Sequence, residues 1–316
     1  MEMTEPVEVT AGVTPISIAV LPAGQLANQI GAALTEVGLE VTTDPEKADA
    51  LVWCAPGPSG MAAVLQQAAR VRWVQLPYAG VERFSRLIDD QRTWTCAKDI
   101  YGPSVAEFTL GLLIAGMRRI DRYAVATHWQ PLPEATLARS KVAIFGAGGI
   151  GRALTEMLLP LGAEVTVVSR SGGAVPGAHA VAEDQAREIL SSADAVVLAL
   201  PLTPATTGRV DSPFLASMKP TAWLVNVARG RVVVTDDLVH ALEVGQIAGA
   251  ALDVTDPEPL PAGHRLWELE NAIITPHVAN TGALGARELV ELVSENGLRF
   301  SAGEPLLGLV DPHLGY

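Results

Sequence analysis

The stretch KVAIFGAGGIGRALTEMLLPLGAEVTVVSRSG, residues 141–172, decides the reading of the fold. An apolar run, KVAIF, leads directly into Gly146-x-Gly148-x-x-Gly151, a helix-like segment follows, and a second apolar run, EVTVVS, closes the unit at Ser169. Alone, such a glycine pattern is a common turn. Placed between a strand and a helix, it is a phosphate-binding turn. Gly146 permits the tight turn, Gly148 lets the backbone approach a pyrophosphate, and Gly151 lets helix and strand pack closely. The phosphates would sit over Gly149 and Ile150, where the unpaired N–H groups and the helix dipole favour an anion. The segment predicts a dinucleotide-binding βαβ unit.

Which dinucleotide depends on the end of the second strand. A carboxylate there would accept both ribose hydroxyls and repel a 2′-phosphate. The chain instead has Ser169-Arg170-Ser171. A guanidinium pairs bidentately with phosphate, so this triplet predicts NADP(H), with NAD(H) as the alternative if Arg170 is only a solvated loop residue.

Outward from this unit, apolar runs alternate with helical patterns along nearly the whole chain, which predicts an α/β protein with parallel sheets. Downstream, AVVLAL (195–200), AWLVNV (222–227), AGAALDV (248–254) and AIITP (272–276) complete six strands of a doubly wound Rossmann sheet. Upstream, ISIAVL (16–21), ALVWCA (50–55), RWVQL (72–76) and TWTCA (93–97), with helices over 24–37, 60–70 and 82–90, predict a smaller α/β unit. Between the two, Ser104 and Glu107 have capping-box spacing before a long apolar run, predicting one helix over about 103–125. The Pro-rich 128–140 stretch reads as a linker, with Trp129 either packed within it or reaching a pocket, such as a neighbouring subunit's. A helix over 282–302 would return to the first unit. The expected domains are therefore 1–102 with 282–316, and 103–281.

Three residues carry candidate chemistry. Arg229 follows one strand (LVNVARGRV), Glu258 lies in a Pro-rich loop after the next (DVTDPEP), and His277 follows the last (ITPHVAN). All three fall at carboxyl ends of parallel strands, where ligands bind in open sheets. Arg229 would clamp a substrate carboxylate, His277 would donate a proton to a ketone oxygen, and Glu258 would hold the imidazole in one tautomer and stabilise its charged form.

GAGGIG, the block VNVARGRVVVTDDLVHALEVGQIAGAALDV, the following DPEP and TPHVA together resemble the D-isomer-specific 2-hydroxyacid dehydrogenase family over most of 98–281. The resemblance implies catalytic roles for Arg229, Glu258 and His277; related formate dehydrogenases carry Gln in place of the Glu. It also implies a flavodoxin-like substrate domain, a cleft between domains and a homodimer. LPYAGVERF (76–84) is similar to the family's substrate loop, which assigns Tyr78, Ala79, Gly80 and Val81 to substrate binding. Leu200, Pro201 and Thr206 would flank the cofactor, and Val227, Ala228, Asp253, His277 and Ala279 would line its nicotinamide side. HWQPLPE (128–134), the terminal VDPHLGY and the Ser-Arg pair are most similar to the glyoxylate/hydroxypyruvate reductase A branch, implying reduction of a small 2-oxo acid by NADPH. Tyr78 is bulky for such a pocket, which keeps a phenylpyruvate-like acid open. A dinucleotide-sensing binding protein on the same fold is the reading from another class.

Composition narrows the partners. The 316 residues carry a formal net charge of −13, which disfavours nucleic acid. Apolar residues make up 49%, enough for sizeable cores. Neither the acidic start, MEMTEPVEVTAG, nor the run at 105–117 resembles a signal peptide or a membrane span. Cys54 and Cys96 read as buried thiols, consistent with a cytoplasmic setting and no disulfide or metal.

Overall fold

The computed structural model describes residues 16–170 and 172–312; the acidic start, Ser171 and the closing 313–316 lie outside the described residues. The chain divides into two units, one running through Lys98 and resuming at Ala286, the other Asp99–Gly285. These cuts fall four residues from the sequence-based 102/103 and 281/282.

The first unit contains β1 (Ser17–Leu21), α1 (Gln25–Glu36), β2 (Glu40–Thr42), β3 (Ala50–Trp53), α2 (Met61–Gln67), β4 (Trp73–Gln75) and β5 (Thr93–Thr95). All pairings are parallel, in the order β2-β1-β3-β4-β5, which is the flavodoxin-like order. β1 and β3 are apolar without alternation because both faces are covered. The expected helix at 82–90 reduces to a single 3-10 turn at Glu82–Phe84, where Phe84 anchors the core.

The second unit opens with α3 (Gly102–Met117) and α4 (Ile120–Ala124). It continues through β6 (Lys141–Phe145), α5 (Gly149–Leu158), β7 (Glu164–Ser169), β8 (His179–Ala182), α6 (Ala186–Ser192) and β9 (Ala195–Leu198). It closes with α7 (Ser212–Ala216), β10 (Trp223–Asn226), α8 (Thr235–Glu243), β11 (Gly249–Leu252) and β12 (Ala272–Ile274). The strands are parallel in the order β12-β11-β10-β9-β6-β7-β8, so the winding reverses between β6 and β9. The sheet has seven strands among the described residues, not six: β8 is a short edge strand, HAVA, hidden in the sequence among Pro, Gly and acidic residues. Separate apolar cores cover its two faces. Asp194 ties the strand starts together, accepting from the Lys141 N–H at 2.8 Å while its own carbonyl accepts from Trp223. Burial works against its charge, but the bonds from Lys219 and Lys141 prevail and hold the carboxyl below its usual range.

The helix expected over 103–125 is two helices. Arg119 adopts a left-handed φ of 52° and breaks the run, its guanidinium resting over the Trp223 ring. The capping box does not form: the helix begins at Gly102 with Pro103 in its first turn, and the Ser104 hydroxyl donates instead to the Ala279 carbonyl. Trp129 is not packed in the linker; it stands fully exposed, at 102%.

After the second unit the chain returns as α9 (Ala286–Ala302), four residues later than the sequence pattern, and packs on α1 of the first unit. A buried polar chain fixes the return. Trp73 Nε1 donates to Thr95 Oγ1 (2.7 Å), and that hydroxyl donates to Gln75 Oε1 (2.7 Å). Asn296 Nδ2 reaches the same oxygen at 3.1 Å, while Asn296 Oδ1 accepts from the Leu307 N–H. Cys96 is buried and Cys54 half-buried; burial pushes the Cys54 thiol up to about 12, which keeps it protonated near neutral pH.

Candidate active site

The glycine loop has the geometry its sequence demands. Gly146 has φ +125°, and a Cβ there would lie 2.3 Å from the Ala199 carbonyl oxygen of the neighbouring strand end. A Cβ on Gly151 would lie 2.0 Å from the Gly146 oxygen, so α5 meets the turn backbone to backbone. Around Gly148 the nearest atom to an added Cβ is an Asp99 oxygen at 3.8 Å, leaving the loop open on its outer side. Ile150, in the first turn of α5, packs partly into the core. These residues fit a pyrophosphate. Ser169 ends β7, accepting from the Gly173 N–H at 3.2 Å, and Arg170 follows on the exposed surface.

The loop after β9 folds on itself. Thr206 Oγ1 donates to the Pro201 carbonyl at 2.7 Å and accepts from the Thr203 N–H at 2.8 Å, so it braces the turn. Leu200 packs against the core with its loop half-exposed.

Arg229, Glu258 and His277 follow the adjacent strands β10, β11 and β12, whose ends are in register at Asn226, Leu252 and Ile274. Asn226 is buried, and its amide brackets the first turn: Oδ1 accepts from the Ala228 N–H and Nδ2 donates to the Arg229 carbonyl. Val227 and Ala228 are buried, and the Arg229 Nη1 donates to the Ala228 carbonyl at 2.7 Å, orienting the guanidinium. Gly230 then makes a contact only glycine allows, because a Cβ there would lie 1.9 Å from the Thr255 oxygen and 2.0 Å from its carbonyl carbon. The turn of Arg229 and the loop of Glu258 therefore touch backbone to backbone. Gly230→Ala is expected to push the 255–258 loop aside and lower kcat/KM by about 10²-fold, the usual cost of a displacement near 1 Å. Steady-state rates on folded variant protein, checked by circular dichroism, measure this.

His277 Nδ1 lies 2.8 Å from Glu258 Oε1. A carboxylate only accepts, so Nδ1 carries the hydrogen and Nε2 is left to hold or release a proton. Both side chains keep roughly half to a third of their surface open. His277 has a left-handed φ of 55°, uncommon outside glycine. Asp253 holds it there. Its carbonyl accepts from the His277 N–H at 2.8 Å, and its buried carboxylate accepts from Thr275 Oγ1 (2.7 Å), the Val278 N–H (2.9 Å) and the Ala279 N–H (3.0 Å). Asp253, read from sequence as lining the cofactor, thus also holds the backbone turn that carries His277.

In the first unit, the substrate-loop residues occupy the turn after β4. Tyr78 and Ala79 are exposed, Gly80 is half-exposed, and the Val81 side chain is buried in the core, leaving only its backbone for any ligand. Sequence reasoning missed Asn226, Gly230, Thr275 and Asp99. The signal for Gly230 was a glycine directly after the arginine; the others act through hydrogen bonds that only the fold assembles. Among the described residues no cluster of His, Cys, Asp and Glu suits a metal, and no helix is long and apolar enough to cross a membrane.

Residues 110–279 match the model of the D-isomer specific 2-hydroxyacid dehydrogenase NAD binding domain. An uncharacterized protein in the proB 3′ region of Corynebacterium melassecola is 44% identical over 255 residues, 78% of this chain and 84% of that one. Glyoxylate/hydroxypyruvate reductase A of Serratia proteamaculans (strain 568) is 35% identical over 214 residues, 66% of this chain and 68% of that one. The crystal structure of a D-isomer specific 2-hydroxyacid dehydrogenase from Xanthobacter autotrophicus Py2, in complex with NADPH and MES, is similar with a TM-score of 0.84 at 29% identity, covering 96% of this chain and 100% of that chain. With a Rossmann sheet, a glycine loop and a histidine–carboxylate pair at its strand ends, the chain is an oxidoreductase that belongs to the D-isomer-specific 2-hydroxyacid dehydrogenase family and carries that family's NAD-binding domain.

Proposed function

We propose that the enzyme reduces a small 2-oxo acid of the glyoxylate or hydroxypyruvate kind to the 2-hydroxy acid, of D configuration where C2 becomes a stereocentre, with NADPH preferred over NADH. The observation that carries this reading is the 2.8 Å His277–Glu258 pair, held on adjacent strand ends beside Arg229. Bound NADPH supplies the hydride. Arg229 binds the substrate carboxylate through its guanidinium. His277 delivers the Nε2 proton to the C2 oxygen as negative charge develops there, and Glu258 offsets the charge the ring bears while it holds that proton. Asp253 keeps the ring aimed.

The preference for a small acid rests on the reductase relative of Serratia, 35% identical to this chain. Rates of NADPH consumption with glyoxylate, hydroxypyruvate and phenylpyruvate test it: the first two are expected to turn over best. The exposed Tyr78 ring, 41% accessible, favours a second reading in which a bulkier 2-oxo acid is the substrate, and turnover confined to phenylpyruvate would select it. Dinucleotide binding without turnover on any of the three would instead mark a sensor.

The preference for NADPH rests on Arg170 at the end of β7 and on the NADPH held by the Xanthobacter relative. Arg170→Ala is expected to raise the KM for NADPH by about tenfold or more, the worth of a charge-assisted phosphate contact, and to leave the KM for NADH unchanged. Equal effects on both would make Arg170 a bystander. We further propose a homodimer, supported by the apolar side chains of Ile120, Tyr123, Val125 and Trp129 left exposed on one segment of the second unit, and a cytoplasmic setting, supported by Cys54 and Cys96 standing as free thiols.

A further inference from the structure

The mouth of the glycine loop already holds an anion of the chain's own. Asp99, at the start of the second unit, has a left-handed φ of 69°, a conformation that Asp and Asn tolerate better than other side chains. Its Oδ1 accepts from the Gly149 N–H at 2.7 Å, and Arg152 Nη2 lies 3.4 Å from the same oxygen. The other arm of that guanidinium donates to the Ala147 carbonyl at 3.0 Å, so Arg152 bridges the loop and the carboxylate. The backbones are equally close. A Cβ on Gly149 would lie 2.9 Å from the Asp99 Cα and carbonyl oxygen, and one on Gly102 would lie 2.7 Å from the Gly149 carbonyl group. The 99–102 turn is therefore seated on the glycine loop and has no room to slide. Only the Asp99 side chain, half of it open to solvent, is able to rotate away.

The Gly149 N–H is the donor at the first turn of α5 that a pyrophosphate would use, and Asp99 takes it for the same reason a phosphate would: unpaired N–H groups, the helix dipole and a nearby arginine favour negative charge. One N–H does not serve two anions, and the two repel at this distance. We propose that Asp99 is a resident competitor of the dinucleotide pyrophosphate, so that cofactor affinity is set by the exchange of one anion for the other, with Arg152 passing from carboxylate to phosphate. This rests on the reading of Gly146–Gly151 as the dinucleotide loop, and it adds a residue outside the glycine motif that tunes affinity for both cofactors alike.

The test is calorimetric titration of the intact protein, without turnover, using NADPH, NADH, ADP-ribose and adenosine 2′-monophosphate. Asp99→Asn keeps an acceptor for Gly149 and tolerates the left-handed φ while removing the charge. It is expected to tighten NADPH, NADH and ADP-ribose by about tenfold, the effect of removing one like charge within a few ångströms. Adenosine 2′-monophosphate, which has no pyrophosphate, should bind as before. Asp99→Gly, which also tolerates the conformation, should show the same gain together with a lower Tm, because the cap on α5 is gone. Unchanged or weaker dinucleotide binding in both variants would overturn the proposal, as would an equal gain for adenosine 2′-monophosphate, which would mean a general field effect. Failure of the wild-type protein to bind any dinucleotide would instead remove the reading of the loop, and this inference with it.

Discussion

Replacing His277 with alanine should lower kcat by about 10²–10⁴-fold, the usual contribution of a positioned general acid. The Glu258 carboxylate fixes the hydrogen on Nδ1, and Nε2 is the only remaining ring atom able to pass a proton. Without the imidazole, water must supply that proton from an unfixed position. Alanine also inherits the left-handed backbone at position 277, which asparagine adopts more readily. His277→Asn therefore separates the chemistry from the backbone: it should lose kcat like the alanine variant while retaining more of the wild-type Tm. Rates near wild type in either variant would remove His277 from the chemistry.

The second large effect is expected at Arg229. Arg229→Lys keeps the positive charge but not the planar fork, and two parallel N–H bonds to a carboxylate become a single point contact. The guanidinium is also oriented by its bond to the Ala228 carbonyl, inside a turn that Asn226 holds from both sides. A lysine does not inherit that orientation. The expected loss in kcat/KM is about 10²–10³-fold, divided between a higher KM and a lower kcat, because the clamp acts before and during the proton transfer. Arg229→Ala should lose at least as much. A change in KM alone would mean that Arg229 binds substrate without aligning it.

The parts of this molecule legible in the sequence are those whose local signal and tertiary role agree. The glycine loop, the strands flanking it and the placement of Arg229, Glu258 and His277 past consecutive apolar runs depend on spacing that a reader of the chain sees directly. β2 and β8 were not legible because they are short edge strands of three and four residues, paired on one side only, and carry little periodicity. The break at Arg119 was hidden because no proline marks it and the nearby glycines, Gly111 and Gly116, lie inside the helix; a residue in a left-handed conformation ends the helix while its guanidinium settles on the Trp223 ring. Ser104 and Glu107 had the right spacing for a capping box, but the Gly102–Pro103 pair starts the helix earlier and places Ser104 inside its first turn. Asp253 was read by its position near the cofactor side. That three donors from 275–279 converge on its carboxylate depends on how β12 turns back, which no local pattern records.

The same limit applies to Asp99, some fifty residues before the loop it caps. Its role depends on the 99–102 turn meeting Gly149 at backbone distance. Glycines at 102 and 149 are the trace this contact leaves in the sequence, and it is readable only once the two turns are known to touch.

The most direct measurement is the stoichiometry of the reaction: NADPH consumed against 2-hydroxy acid formed, with glyoxylate as substrate and the wild-type enzyme. One glycolate is expected for each NADPH, the product lost in the His277 and Arg229 variants in step with the cofactor signal. NADPH that binds but is not consumed with glyoxylate, hydroxypyruvate or phenylpyruvate, or is consumed without a hydroxy acid appearing, would contradict it.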